Sequence, residues 1–400
     1  MTPYILPKAL PDETLYSLVS RIAWLNGVPS DRQACELLLG VLGTPRVSDA
    51  IVDLVHFCVA TEYAYGKPDD VLGSLSIWPF FRNMATHPSV EVPRAESPDD
   101  RRRLTPRDLG LAGLSNAQPH IWRWCSACIL RDIEEYGLAY WHRTHQLPGV
   151  VVCAHHGRPL NEAHIPYWAR QKCFLAPESV QAGLESTISC SGDHCTGMAL
   201  EIAHFAKSAL DGGNGEVTPA IIQGAFFDGL RAMNLIDGKA HIHVHRFASS
   251  FLDHYGELTH IDHFSPFLNT KALFRLAKAM GTSSMVLPPT LGLMIANWVF
   301  GSWELFRASC DWRMTIDTPF RLGHQTSEQT VVSDNTLEQS RTEHRRACVK
   351  FMASVPIATR TDFWHAHSKS CRWLAQHDRD WFDSTLPTAK MYAPRQLKLF

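Results

Sequence analysis

Cys125-Ser126-Ala127-Cys128 and Cys153-Ala154-His155-His156 constrain this chain more than any other feature of its sequence. A gap of two residues lets one tight turn aim both side chains at a single tetrahedral ion. With Zn–S at about 2.3 Å and Zn–N at about 2.0 Å, two such knuckles complete a four-coordinate shell. The pattern predicts zinc on Cys125, Cys128, Cys153 and His156; His155 is the rival of His156, which is preferred because it keeps the second gap at two. Three cysteines and a histidine fill the shell and leave no open position for substrate, so the ion is expected to be structural. A zinc deaminase would place a glutamate two residues after a ligating histidine, and no His-X-Glu stands anywhere in the sequence.

The rest of the composition narrows the setting. Eleven cysteines over 400 residues, an odd number without a basic and apolar leader before them, suit free thiols or metal ligands in a reducing cytoplasm better than a disulfide framework. No stretch is apolar for long enough to predict a membrane span. A formal charge of −2 gives no global field to draw nucleic acid, so any such contact must come from local patches, at residues 101–107 or 341–350.

Periodicity predicts a mainly α, multidomain chain. In the first segment Leu15, Leu18, Val19, Ile22 and Ala23 recur at helical spacing, with Asp12 placed to cap the start and Asn26-Gly27 to end it. Ser30 and Gln33 have capping-box spacing ahead of Cys35, Leu37, Leu38 and Leu39, and Gly40 stops that helix. These place an N-terminal helical domain at 1–84, followed by a proline-rich, charged linker at 85–108. A zinc-binding module is expected at 109–200 and a helical domain at 201–322. A polar linker at 323–340 then precedes a helix-turn-helix-like unit at 341–400.

Other clusters carry weaker signals. Cys173, Cys190, His194 and Cys195 form a candidate second metal site, although no Cys-X-X-Cys pair anchors it. His241, His243 and His245 would share one face of a strand, and with Asp237 or Asp262 they define an alternative reading as a zinc-dependent hydrolase or nuclease. Arg341, Arg345, Arg346 and Lys350 cluster on one side of a helix while Ala347, Cys348, Phe351 and Met352 face inward. That makes a candidate DNA face within a three-helix unit over 341–382, with helices starting near Thr359 and Ser368 and with Trp373 and Trp381 in its core.

The run CSACILRDIEEYGLAYWHRTHQLPGVVVCAHHGRPL resembles the signature of the TniQ/TnsD family of transposon target-selection proteins. Its elements are a Cys-X-X-Cys, a Tyr-Gly, a Tyr-Trp-His-Arg, a Leu-Pro and a Cys-X-X-His-Gly. PDETLYSLVSRIAWLNG resembles the family's opening helix, and CRWLAQHDRDWF resembles the TnsD-type helix-turn-helix segment. The resemblance implies a non-catalytic adaptor that marks an insertion site and recruits an AAA+ regulator and, through it, the transposase. The site would be read directly on DNA or through an RNA-guided Cascade complex. Family members that travel with Cascade are dimers, which implies a homodimer whose interface includes the N-terminal domain.

Overall fold

The computed structural model describes residues 5–40, 54–84, 121–164, 176–180, 185–190, 192–212, 217–237, 241–280, 287–315, 334–354 and 360–386. The chain divides into two compact units, 1–323 and 324–400, and both are mainly helical. The expected linker at 85–108 and Cys173 lie outside the described residues. None of the described helices is long and apolar enough to cross a membrane.

In the first unit α1 (Leu15–Leu25) buries the five residues its periodicity selects. Its N-cap is Thr14, whose Oγ1 accepts from the Ser17 amide at 3.2 Å. Asp12 does not cap the helix. It sits in the left-handed region at φ +58, which a short polar side chain tolerates, and turns its carboxylate away to Thr144. The second helix, α2 (Asp31–Leu39), follows the sequence closely. Ser30 accepts from the Gln33 amide, and Gly40 closes the helix at φ +62, where a side chain would be strained. Leu37 departs from expectation and is 47% exposed.

Helices α3 (Leu54–Ala60), α4 (Pro68–Leu75) and α5 (Trp78–Met84) complete the N-terminal layer. Pro68 opens α4 at a position where no amide hydrogen is needed. Next come β1 (Ile121–Trp124), α6 (Ser126–Tyr136), a single 3-10 turn at Thr144–Gln146, β2 (Asn161–His164), α7 (Pro177–Val180) and β3 (Glu185–Thr187). The strands form one antiparallel sheet in the order β1-β2-β3, with Trp122 opposite Ala163 and Glu162 opposite Ser186.

The described remainder of this unit is mainly helical: α8 (Asp193–Asp211), α9 (Pro219–Ala232), α10 (Val244–Tyr255), α11 (Thr270–Met280), α12 (Pro289–Phe300) and α13 (Trp303–Thr315). Proline leads both α9 and α12, as the sequence suggested for the apolar helix at 289. The boundary expected at residue 200 falls inside α8, because the apolar period runs on unbroken from Met198 through Ile202 and Phe205 to Leu210. One continuous core joins α1 to α13 and takes in the cysteines of both knuckles. Beside it Tyr16, Trp122, Trp124 and Trp141 make a separate aromatic cluster.

The second unit holds α14 (Asp334–Ser354), α15 (Arg360–Ala366), α16 (Ser368–His377) and α17 (Arg379–Thr385). Helices begin at Arg360 and Ser368, as expected, but the described residues of 341–382 take part in four helices where three were predicted. Helix α14 also starts inside the segment read as a linker, since neither glycine nor proline stands between Asp334 and Arg341 to stop it. Cys348, Phe363, Cys371, Leu374 and Phe382 form its core. Trp373 and Trp381, expected inside that core, are only partly buried and pack on its margin.

Candidate metal centre

Cys125 follows β1 directly and serves as the N-cap residue of α6, which puts Cys128 in the first turn of that helix. The second knuckle is a tight loop. The Cys153 amide donates to Arg158 O at 2.8 Å, the Gly157 amide donates to Cys153 O at 2.9 Å, and Gly157 takes φ +62. The two knuckles converge: Cys125, Cys128, Cys153 and His156 are the group among the described residues whose ligand atoms lie within 4.8 Å of one another.

The separations test whether an ion fits. His156 Nδ1 lies 3.6, 3.3 and 3.6 Å from the sulfurs of Cys125, Cys128 and Cys153, and Cys128 Sγ lies 3.7 Å from Cys153 Sγ. A tetrahedral zinc with ordinary bond lengths requires about 3.8 Å between sulfurs and about 3.5 Å between sulfur and nitrogen. The cluster can therefore hold a metal ion and is compatible with a zinc-finger module.

Protonation points the same way. Hydrogen bonds from Cys128 and Cys153 draw the Cys125 thiol well down, while the bond to Cys125 pushes Cys128 well up and Cys153 to about 11. With the thiols this close, ionising one opposes ionising the others, and a dication bound among them would let all three ionise. His155, the rival ligand, is exposed and lies outside the group.

A frame of buried polar side chains meets the cluster at His145, and the 3-10 turn organises it. Arg143, just before the turn, donates to Gly73 O at 2.9 Å and Ser76 O at 3.2 Å, reaching the end of α4. Thr144 donates from its amide to Asp12 at 3.1 Å. His145 Nε2 lies 3.7 Å from Cys128 Sγ. Gln146 Nε2 donates to Arg123 O at 2.7 Å, and Gln146 Oε1 accepts from the Arg123 amide at 3.2 Å. Arg123 in turn donates to the carbonyls of Val150, Gln146 and Leu147. The residues just before the turn add to the join, with Tyr140 Oη donating to Pro11 O at 2.9 Å and the Thr14 amide to Trp141 O at 2.9 Å. One stretch of seven residues, 140–146, thus ties the N-terminal helices, the sheet and the metal ligands together.

The electrostatics of the frame are divided between adjacent histidines. Burial disfavours charge on His142, but hydrogen bonds to Asp12 and Asp132 outweigh it and push the imidazole up to about 9; His142 Nε2 lies 2.7 Å from Asp132. Burial draws Asp12 upward too, yet His142, Arg143 and Thr144 hold it below the usual carboxylate range. His145 goes the other way: burial and then the positive charge of His142 drive it down to about 3, so it is neutral. Burial also lowers Arg123, to about 10.

The sequence reading missed Arg123, Asp132, His142 and His145. A signal existed for Arg123, a charge between two tryptophans in a short strand whose residues 122–124 are all buried. Gly149 belongs to the same frame. It turns the chain at φ +78 beneath α12, where a Cβ would stand 3.1 Å from Thr290 and 3.2 Å from Leu293.

The other candidates fare differently. Cys190 and Cys195 approach to 2.9 Å between sulfurs, but His194 is exposed, and it is His260 Nε2 that lies near Cys195 Sγ, at 3.9 Å. His241, His243 and His245 do not share a strand face. His243 precedes α10 as its N-cap, His245 lies in the first turn against the Phe274 ring at 4.7 Å, and they are not a metal group among the described residues. The helical period of Phe247, Ala248, Phe251 and Tyr255 captured the segment.

In the second unit Arg345 is engaged by Asp378 through two hydrogen bonds of 2.6 and 2.9 Å and lies over the Trp381 ring at 4.8 Å. Arg341 Nε lies 4.0 Å from the same carboxylate. Arg346 and Lys350 are exposed. The expected DNA face is thus split, with Arg345 bound into its own unit by a carboxylate the sequence reading did not consider.

Compared with known proteins, residues 4–160 match the TniQ family model. No curated protein matches the chain. The matched span covers the opening helices, the 3-10 turn and both knuckles, the same stretch that the buried frame joins into one body.

Proposed function

We propose that this chain is a TniQ/TnsD-type transposon target-selection adaptor, without catalytic activity of its own, whose metal centre is a structural zinc site. The observation that carries the reading is the coincidence of the TniQ match with a saturated ligand set beside a buried frame. A dication held by Cys125, Cys128, Cys153 and His156 has its four ligands from protein, so it braces the fold and offers substrate no position. In this role the chain marks the insertion site and recruits an AAA+ regulator and, through it, the transposase.

The second unit is assigned to DNA. Exposed Arg346 and Lys350, together with Arg379 on α17, supply cations for phosphate contact, and the close succession of α15 and α16 suits a helix-turn-helix. The N-terminal helices are assigned to self-association, where Trp24 is 78% exposed at the end of α1. The cytoplasm is the setting in which these thiols stay reduced.

The test is reconstituted transposition with and without the chain. Omission should abolish insertion at the chosen site, and wild type should restore it. Affinity purification should bring down the AAA+ regulator together with either a specific DNA site or a Cascade complex. Full targeting in the absence of the chain would end the reading.

A further inference from the structure

The structure assigns His145 a positioning role at the metal centre: its imidazole donates Nε2–H to the Cys128 sulfur and so ties the ion to the turn that holds the N-terminal helices. This rests on the structural-metal reading of the four ligands. Three thiolates and one neutral histidine around a dication leave a net charge of −1. Cys125, Cys128 and Cys153 are each at most 1% exposed, so that charge cannot be hydrated. A buried excess charge needs hydrogen-bond donors from the surrounding protein.

His145 is placed to be one. It is 1% exposed, and its Nε2 lies 3.7 Å from Cys128 Sγ, within the range of an N–H···S bond. It is not a fourth ligand, because that place is filled by His156 Nδ1, which lies within 3.6 Å of all three sulfurs. Its other ring nitrogen, Nδ1, is buried without a hydrogen-bond partner. A neutral imidazole carries one N–H, and only at Nε2 does that proton meet an acceptor, which selects the tautomer.

The neighbours of His145 give the bond its reach. Thr144 holds Asp12 at the start of the N-terminal helices, and Gln146 holds Arg123 in β1. A thiolate fixed by His145 is therefore fixed to both. Arg131, one turn along α6 from Cys128, adds a positive charge that Cys128 and Cys153 feel, but at 40% exposure it shares that charge with solvent.

The experiment uses the full chain loaded with cobalt(II), as wild type, His145→Phe and His145→Gln. Wild type should show the visible bands of a tetrahedral thiolate site. His145→Phe keeps a ring but no donor; it should shift the sulfur-to-cobalt charge-transfer band to lower energy and weaken metal affinity about 10- to 100-fold. Its thiolates should also be alkylated faster. His145→Gln retains an N–H and should recover most of the spectrum and affinity. A folded His145→Phe with wild-type band positions and affinity would overturn the assignment.

Should the phenylalanine variant fail to fold, cadmium-113 NMR on histidine-labelled wild type decides. A coupling between the metal and the His145 Nε2 proton is expected, and a His145 ring protonated at Nδ1 in the loaded protein would overturn it. A wild-type chain that takes up no cobalt at these cysteines would instead remove the metal reading itself and this inference with it.

Discussion

Two places in the first unit bring cysteine sulfurs together, and they are built differently. At 125–156 His156 Nδ1 stands 3.3–3.6 Å from the three sulfurs, Cys128 Sγ stands 3.7 Å from Cys153 Sγ, and all four ligand atoms lie within 4.8 Å of one another. At Cys190 and Cys195 the sulfurs are 2.9 Å apart, closer than a tetrahedral ion allows, since it holds two thiolates at about 3.8 Å. The first cluster meets a network of buried polar side chains, Arg123, Asp132, His142, His145 and Gln146, through His145, whose Nε2 lies 3.7 Å from Cys128 Sγ. Around the pair, His194 and His260 are exposed. Soft ligands alone do not make a metal centre. What distinguishes the first cluster is four donors at compatible distances, next to a frame of buried polar side chains that hydrogen-bond to one another and to the backbone.

The sharpest way to break that comparison is to remove a ligand from the framed cluster. Cys153→Ser should lose the metal equivalent and with it the tertiary order of the module. Metal binding contributes about 10–16 kcal/mol in small zinc folds, comparable with the about 5–15 kcal/mol that is the net stability of a whole domain. Elemental analysis and near-UV circular dichroism read both effects. A variant that keeps its full metal content would show that Cys153 is not a ligand.

The frame comes next. Arg123→Met keeps much of the buried volume but removes the guanidinium donor from the carbonyls of Val150, Gln146 and Leu147, of which Leu147 O keeps the Val150 amide at 3.2 Å. Several buried acceptors losing this donor at once should cost about 3–5 kcal/mol in urea denaturation with the metal still bound. A loss below about 1 kcal/mol would mean that these carbonyls find other donors, and the frame would no longer separate the two cysteine sites.

The clustering of Cys125, Cys128, Cys153 and His156 was legible in the sequence and the frame was not, for a physical reason. A knuckle is local, so Cys125 with Cys128 and Cys153 with His156 declare themselves by spacing. The same holds for Ser30 and Gly40, which cap α2 through bonds that reach no further than a few residues. The frame depends on partners far apart in the chain, such as Tyr140 with Pro11 and Arg143 with Gly73, and no pattern along the sequence marks them. Asp12 shows how the local reading fails. It has the right chemistry for an N-cap, yet Thr144 and Arg143 take its carboxylate and its carbonyl, and Thr14 caps α1 instead. Arg345 repeats the lesson in the second unit: helical spacing put it on the cationic face, while Asp378 claims it from another helix turn.

The pH dependence of stability should carry the mark of the frame as well. His142 is 3% exposed, and its imidazole is raised to about 9 in the folded chain, above the roughly 6.5 of an unfolded histidine. The folded state therefore binds this proton more tightly. The resulting stability is fully present below about pH 6.5 and is lost as pH rises through about 9, with a total on the order of 3 kcal/mol. Denaturation midpoints of the metal-loaded chain from pH 6 upward would show the decline, and His142→Gln should flatten it. An alkaline decline of equal size in that variant would assign the effect to another group.

The smallest effect is expected at the cysteine pair, and it is the one that most sharpens the contrast. Cys195 is fully buried but Cys190 is half-exposed, so a serine at 190 exchanges a thiol for a hydroxyl that water can reach. The stability cost should stay below about 1 kcal/mol, in the range of substitutions away from a packed core. Metal content should remain at the one equivalent held by the framed cluster. The sequence had grouped this pair with Cys173 and His194 as a second metal site; His194 is exposed and Cys173 is outside the described residues. Cys190→Ser measured by elemental analysis against wild type therefore decides directly. A fall from two equivalents to one would give the pair an ion, ligated with partners beyond the described residues, and would erase the distinction between the two sites.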